Sequence, residues 1–133
     1  MAEWLSEEWL KEMAALADTR PPLAGASGTV SLAITAGRGR DVGYHWEYRD
    51  GVAGGGAAGV AADADLALTI ARDDAWSVLT GEVEPSVAFM RGRLKATGDS
   101  GLLLELLEST TTGGYRQWRE RALELTEPGP GAS

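Results

Sequence analysis

Residues Gly54, Gly55, Gly56, Ala57, Ala58 and Gly59 satisfy the Gly-x-Gly-x-x-Gly pattern through which backbone amides approach a pyrophosphate, and Asp74 follows as a ribose-binding acid would. That chemistry requires a strand before the run and a helix N-terminus after it. Here the run lies in Gly/Ala-rich sequence and leads toward a strand-like alternation at Leu66, so the expectation is a thin strand or loop. His45 is the single imidazole available for proton transfer. It shares its side of a segment with Gly43, Glu47 and Arg49, opposite the aromatic residues, and no Gly-x-Ser-x-Gly elbow supplies a nucleophile. The pairs Asp63/Asp65 and Asp73/Asp74 have the composition of a glycosidase pair or a calcium site, yet loop and helix-cap roles account for them more simply. With no cysteine and one histidine, thiolate chemistry and zinc ligation lack side chains. No catalytic residue, metal or cofactor is expected.

The length of 133 residues fits one domain with a real core. Twelve basic against twenty acidic residues give a net charge of −8, which opposes binding to phosphate backbones and anionic bilayers. Nucleic acid is therefore not an expected partner. No apolar run approaches the roughly 20 residues that span a bilayer. Met1-Ala2-Glu3-Trp4 has neither the basic start nor the hydrophobic stretch of a signal peptide, so the expected location is cytoplasmic. Abundant arginine, alanine and glycine fit a GC-rich bacterial coding sequence.

From Trp4 to Ala17, Leu5, Trp9, Met13 and Leu16 fall on one helical stripe, and Pro21-Pro22 ends the helix. A linker is expected through Gly28. Val30, Leu32, Ile34 and Ala36 then alternate as a strand with one buried face, followed by a turn over 37–40. Val42, Tyr44, Trp46 and Tyr48 repeat that pattern, and Asp50-Gly51 closes a hairpin. Leu66, Leu68 and Ile70 alternate again. Asp73 is placed to cap a helix carrying Trp76, Val78 and Leu79 and ended by Gly81; Glu84-Pro85 starts another, ended by Gly92. A strand over 93–97 precedes a leucine-rich helix opened by Asp99. Residues 109–114 read as a hinge or linker, and Tyr115, Trp118, Ala122 and Leu125 mark a C-terminal amphipathic helix. The expected architecture is α+β, with helices on one face of a largely antiparallel sheet over 1–125 and a disordered tail over 126–133.

Five tryptophans and three tyrosines weigh heavily in so short a chain. Tyr44, Trp46 and Tyr48 project toward helices that carry Trp76, Phe89, Met90 and the leucines. A solid core and a cavity for an apolar ligand both satisfy that pattern, because ligand pockets are mostly apolar and aromatic.

Between Gly81 and Asp99 the sequence sets a glycine, Pro85, the segment Ala88-Phe89-Met90-Arg91-Gly92, the basic strand Arg93-Leu94-Lys95 and Gly98-Asp99 at a characteristic spacing. This resembles the hallmark stretch of the sterol carrier protein type-2 (sterol-binding domain) family. The Asp63-x-Asp65-x-x-x-x-Ile70 run and the Asp50-Gly51 hairpin are similar to it as well, so the resemblance covers about residues 25–110, a stand-alone bacterial member. It implies a five-stranded, mainly antiparallel sheet with helices covering one face and enclosing a hydrophobic tunnel. It also implies noncatalytic binding or transfer of sterols, fatty acids, acyl-CoA or other long apolar molecules. By position, Phe89 and Met90 would face the tunnel, Gly81 and Gly92 would shape the flanking turns, and Gly98-Asp99 would launch the closing helix. Facing and periodicity assign Tyr44, Trp46, Leu103, Leu106 and Leu107 to the wall, with Trp76 beside them. Arg91 and Arg93 are read either as partners for an anionic head group or as solvated turn residues.

The end of the chain, Gly129 to Ser133, carries no peroxisomal tripeptide of the kind eukaryotic members often have, so that destination is not expected. The expected partner is an apolar small molecule or lipid, with membrane contact at most transient. Two other readings stay open. One is an accessory domain presenting a hydrophobic substrate to an enzyme, and the other is a protein-interaction module using the C-terminal helix, including self-association.

Overall fold

A computed structural model describes residues 2–35 and 41–128. Along the chain come β1 (Ala2–Glu3), α1 (Glu7–Ala15), a 3-10 turn (Leu16–Thr19), β2 (Gly28–Thr35), β3 (Val42–Arg49), β4 (Val52–Ala58) and β5 (Leu66–Ala71). Then follow α2 (Arg72–Leu79), α3 (Pro85–Met90), β6 (Leu94–Gly98), α4 (Ser100–Ser109), α5 (Gly113–Glu124) and β7 (Thr126–Glu127). The main sheet has the order β4-β3-β2-β5-β6, antiparallel throughout except for the parallel β2–β5 pair. This is the expected α+β class with a five-stranded, mainly antiparallel sheet.

The two-residue period decides what the sheet buries. Register sets Val30 between Trp46 and Leu66, Leu32 between Tyr44 and Leu68, and Ile34 beside Ile70, which itself faces Leu94. These side chains share the face that the helices cover, and most are buried. The hairpin turn at Asp50-Gly51 is as expected, with φ of 49° and 87° at its two central residues. The expected turn over 37–40, and Ala36 before it, lie outside the described residues.

The glycine run is strand β4. Gly55 (φ 62°) lies within the register shift between β3 and β4, where a bulge inserts an extra residue. A Cβ on Gly56 would collide with the carbonyl oxygen of Ala14, so its absence lets α1 lie directly on the strand. The run therefore seats a helix.

Several expectations are corrected. The first helix begins at Glu7 rather than Trp4, because Ser6 caps it by accepting the Trp9 amide at 3.1 Å and because residues 2–3 are engaged as β1. Its buried side is Trp9, Leu10, Met13 and Ala14. Asp73 is not a cap: α2 starts at Arg72, and Asp73 and Asp74 occupy the first turn, where carboxylates meet the positive end of the helix dipole. The stretch 109–114 is no linker, since Thr112 caps α5 directly after α4 ends at Ser109. Thr126–Glu127, expected in the tail, instead pairs in parallel with Ala2–Glu3, and residues 129–133 of that expected tail lie outside the described residues. Other signals read as expected: Pro85 occupies the first turn of α3, and the Asp99 carboxylate caps α4 by accepting the Leu102 amide at 3.1 Å. Among the described residues no helix is long and apolar enough to cross a membrane.

Candidate functional site

Between the inner face of the sheet and the helices lies a cavity of about 120 Å³. Its floor is Leu32 and Ile34 of β2, Tyr44 and Trp46 of β3, Leu68 and Ile70 of β5, and Leu94 of β6. Trp9 and Met13 of α1 close one side, Leu103, Leu106 and Leu107 of α4 another, and Tyr115 and Trp118 of α5 a third. The helical spacing of α4 explains its share: Leu102, Leu103 and Leu106 are buried, while Leu104 is 65% exposed on the opposite side.

An aromatic chain runs through the wall. Trp4 meets Trp9 edge-on at 4.8 Å and Trp76 at 5.1 Å, Trp9 meets Tyr44 at 6.2 Å, and Tyr44 tilts against Trp46 at 5.6 Å. Such edge-to-face contacts suit the ring quadrupoles and fix the rings relative to one another. Tyr115 stacks on Trp118 at 5.8 Å.

Among the described residues lining the cavity, Arg20 carries the single formal charge. Its guanidinium carbon lies 3.9 Å from the ring centroids of both Trp46 and Trp118, and its Nη2 donates to the Tyr44 hydroxyl at 3.1 Å. The cation thus lies against two π systems, which accept charge without hydrogen bonds. Burial pushes the Tyr115 hydroxyl up to about 12, against the opposing pull of Arg20 and Arg119, so Tyr115 stays uncharged and the Arg20 cation is the charge of the lining.

The structure brings together Tyr44, Trp46, Leu103, Leu106 and Leu107 at this cavity. Trp76 stands behind its lining, partly buried and packed on Trp4. Phe89 and Met90 depart from the expectation that they face the enclosed space. α3 turns Pro85 and Ala88 inward, and two residues beyond Ala88 the chain points away, leaving Met90 84% exposed; Phe89 packs partly buried against the core without lining the cavity. Arg91 and Arg93 are exposed. Sequence reasoning missed Trp4, Arg20, Tyr115 and Trp118 as lining residues. The helical stripe of α5 was the available signal for the last two. His45 lies away from the cavity, with Nδ1 2.7 Å from the Gly59 carbonyl oxygen.

Residues 8–108 match the model of the SCP-2 sterol transfer family. Sterol carrier protein 2 of Oryctolagus cuniculus is 44% identical over 43 residues, which are 32% of this chain and 8% of the rabbit protein, so the match spans a small part of that relative. In fold, the chain is similar to a conserved hypothetical protein from Thermus thermophilus, at a TM-score of 0.67 and 21% identity over 98% of this chain and 94% of that one. It is also similar to a crystal structure of sterol carrier protein 2, at a TM-score of 0.62 and 23% identity over 87% and 97%. With the family model matching most of its length and the same sheet and helix layer in these solved structures, the chain belongs to the SCP-2 sterol transfer family, a family of lipid-binding and lipid-transfer domains.

Proposed function

We propose that this chain binds one long-chain or polycyclic apolar molecule, such as a sterol, a fatty acid or an acyl-CoA, in the cavity between sheet and helices, and passes it on chemically unchanged. The observation that carries this is the lining: aromatic and aliphatic from four strands and five helices, with one formal charge. Each methylene moved from water into such a lining contributes about 0.8 kcal/mol, so a long chain supplies ample driving force. The 120 Å³ cavity is smaller than the roughly 300–1,000 Å³ of occupied ligand pockets, so loading widens it into a longer passage. The strands are held by their ladders, and the helices are the walls that part.

A second reading, presentation of an apolar substrate to an enzyme, is favoured by another relative, hydroxysteroid dehydrogenase-like protein 2 of Xenopus tropicalis, 35% identical over 60 residues that are 45% of this chain and 14% of that protein. Both readings share the same first test. Native mass spectrometry of freshly purified protein, followed by organic extraction, is expected to show an added mass of roughly a few hundred daltons, the size class of such pocket ligands. A fluorescent fatty acid is expected to bind and be displaced by unlabelled lipid. A bare protein mass together with no binding of the fluorescent fatty acid overturns the proposal.

A further inference from the structure

We propose that the turn joining α3 to β6 is a docking surface for an anionic lipid bilayer, with Met90 entering the interface among Arg91, Arg93 and Lys95. Docking does not depend on what the cavity holds; its use, release of the ligand at a membrane, rests on the lipid-transfer reading above.

The turn is tight. The Arg91 amide donates to the Val87 carbonyl at 3.0 Å, that of Gly92 (φ 73°) to Phe89 at 3.0 Å and that of Arg93 to Ala88 at 2.8 Å. Met90 stands at this corner 84% exposed, the most exposed large apolar side chain among the described residues. Arg91 and Arg93 are exposed beside it, and Lys95 follows on β6, exposed on the same side of the chain as Arg93. From Pro85 to Gly98 there are these three cations and no acid, in a chain whose net charge is −8. Among the described residues none of the three is ion-paired. The acids that flank them are engaged: Glu84 meets Arg119 at 4.0 Å, and Asp99 caps α4.

Other parts of the surface lack this combination. Val52 is 65% exposed on β4, at the opposite edge of the sheet, but its cross-strand neighbour Arg49 is neutralised by Glu47 at 3.0 Å. The start of α1 is acidic, since Glu3, Glu7, Glu8 and Glu127 line one hollow and Lys11 there pairs with Glu7 at 3.7 Å. Charges in salt act over about 8 Å, so a bilayer responds to the face it meets rather than to the net charge. It repels the start of α1 and attracts the turn. Each cation held near an anionic surface strengthens binding roughly fivefold. A bilayer also accepts a single projecting apolar side chain anywhere on its surface, whereas a protein partner needs a pocket shaped to it. Pro85 and Leu94 line the cavity from the two elements that the turn joins, so docking here brings the cavity wall to the membrane.

The test sediments the intact protein, at low and high salt, with vesicles of phosphatidylcholine alone and of equal parts phosphatidylcholine and phosphatidylserine. Wild type is expected to bind the mixed vesicles, to leave them in high salt and to ignore phosphatidylcholine alone. The double variant Arg91→Gln, Arg93→Gln is expected to bind the mixed vesicles at least about tenfold more weakly. Met90→Ser is expected to bind them several-fold more weakly, and Val52→Ser as wild type does. All of these side chains are exposed, so the variants fold as wild type does. No binding to the mixed vesicles, equal binding to both kinds, or an undiminished affinity in the double variant overturns the assignment. A loss in Val52→Ser as large as that in Met90→Ser overturns its location. Binding of polyglutamate without binding of vesicles overturns the membrane in favour of an acidic protein. The vesicle measurement needs no ligand in the cavity, so its failure leaves the fatty-acid test above to stand or fall by itself.

Discussion

The stretch matching the family, residues 8–108, and the flanks around it, 2–7 and 109–128, enclose the same cavity by different physics. Within the matched stretch the floor side chains stand on strands fixed by continuous ladders, so Leu32 and Tyr44 have hydrogen-bonded neighbours along their whole length. The flanks are joined instead by a few point contacts. The Ala2 amide donates to the Leu125 carbonyl at 2.9 Å, the Trp4 amide to Glu127 at 2.8 Å, and the Trp9 indole to the Thr126 hydroxyl at 2.8 Å. Arg119 of α5 adds one more by resting against Gly81, whose missing side chain makes the room. Yet the flanks contribute Trp4, Thr110, Tyr115 and Trp118 to the lining. Arg20 takes one ring from each region, Trp46 from the matched stretch and Trp118 from the flank. The difference teaches that floor and closing wall are separable: one is set by the sheet, the other is fastened onto it.

The largest effects should expose that separation. Trp46→Ala removes a ring that is 2% exposed from a strand that cannot move to fill the gap, and a loss toward the upper end of about 3–5 kcal/mol is expected in chemical denaturation. Trp118→Ala removes an equal volume from α5, which has fewer ties and can settle inward. Its cost is expected at the lower end of that range. Equal costs would mean that α5 is as rigid as the sheet.

Tyr115 gives a pH-dependent version of the same comparison. Its hydroxyl is raised by burial to about 12 in the folded chain, while the unfolded chain titrates near the ordinary value of about 10. The folded state therefore holds its proton where the unfolded state has released one. The associated stability is complete below about pH 10 and is lost as pH rises through about 12, an effect of about 2–3 kcal/mol. Denaturation of wild type and Tyr115→Phe across pH 9 to 12 measures it: wild type should fall by that much more than the variant. Parallel curves would place Tyr115 in water and open the wall.

How much of this was legible in the sequence follows the same division. The β3 alternation of Tyr44, Trp46 and Tyr48 declares a buried face directly, and Asp99 and Pro85 announce helix starts through chemistry that acts within one turn. The β1–β7 pair was invisible, because two-residue strands at opposite ends of the chain carry no period. β4 was only half visible, since a glycine run has no side chains to alternate and is held as a strand by its pairing with β3, with a helix lying on it. Arg20 stands beside Pro21-Pro22, where local signals speak only of a helix ending. Its place is set by two tryptophans remote in sequence.

The fastening itself is tested at Thr126. Its hydroxyl accepts from the Trp9 indole at 2.8 Å and donates to the Ala122 carbonyl at 2.7 Å, so one buried group joins α1, α5 and β7. Thr126→Val keeps the shape and strands a buried N–H, at an expected cost of about 1–3 kcal/mol. Hydrogen exchange should then quicken in α5 before it does in β2 or β3. Uniform quickening across all three would show that flank and floor open as one unit.

The smallest effect is expected where sequence position and structure disagree most. Met90 belongs to the matched stretch and would face the enclosed space by position, yet it is 84% exposed, because a six-residue helix with Pro85 and Ala88 inward has no turn left to bring it round. Replacing an exposed side chain away from caps and buried partners changes stability by no more than about 0.5 kcal/mol. Met90→Ser should therefore leave both the denaturation midpoint and the affinity for palmitate at their wild-type values. Ile70→Ser, on the floor and 5% exposed, serves as the contrast and should weaken both. A Met90→Ser variant that loses palmitate while keeping its stability would mean that α3 rotates inward on loading. The wall that parts would then lie within the matched stretch, and the division between fixed floor and fastened flank would have to be redrawn around α3.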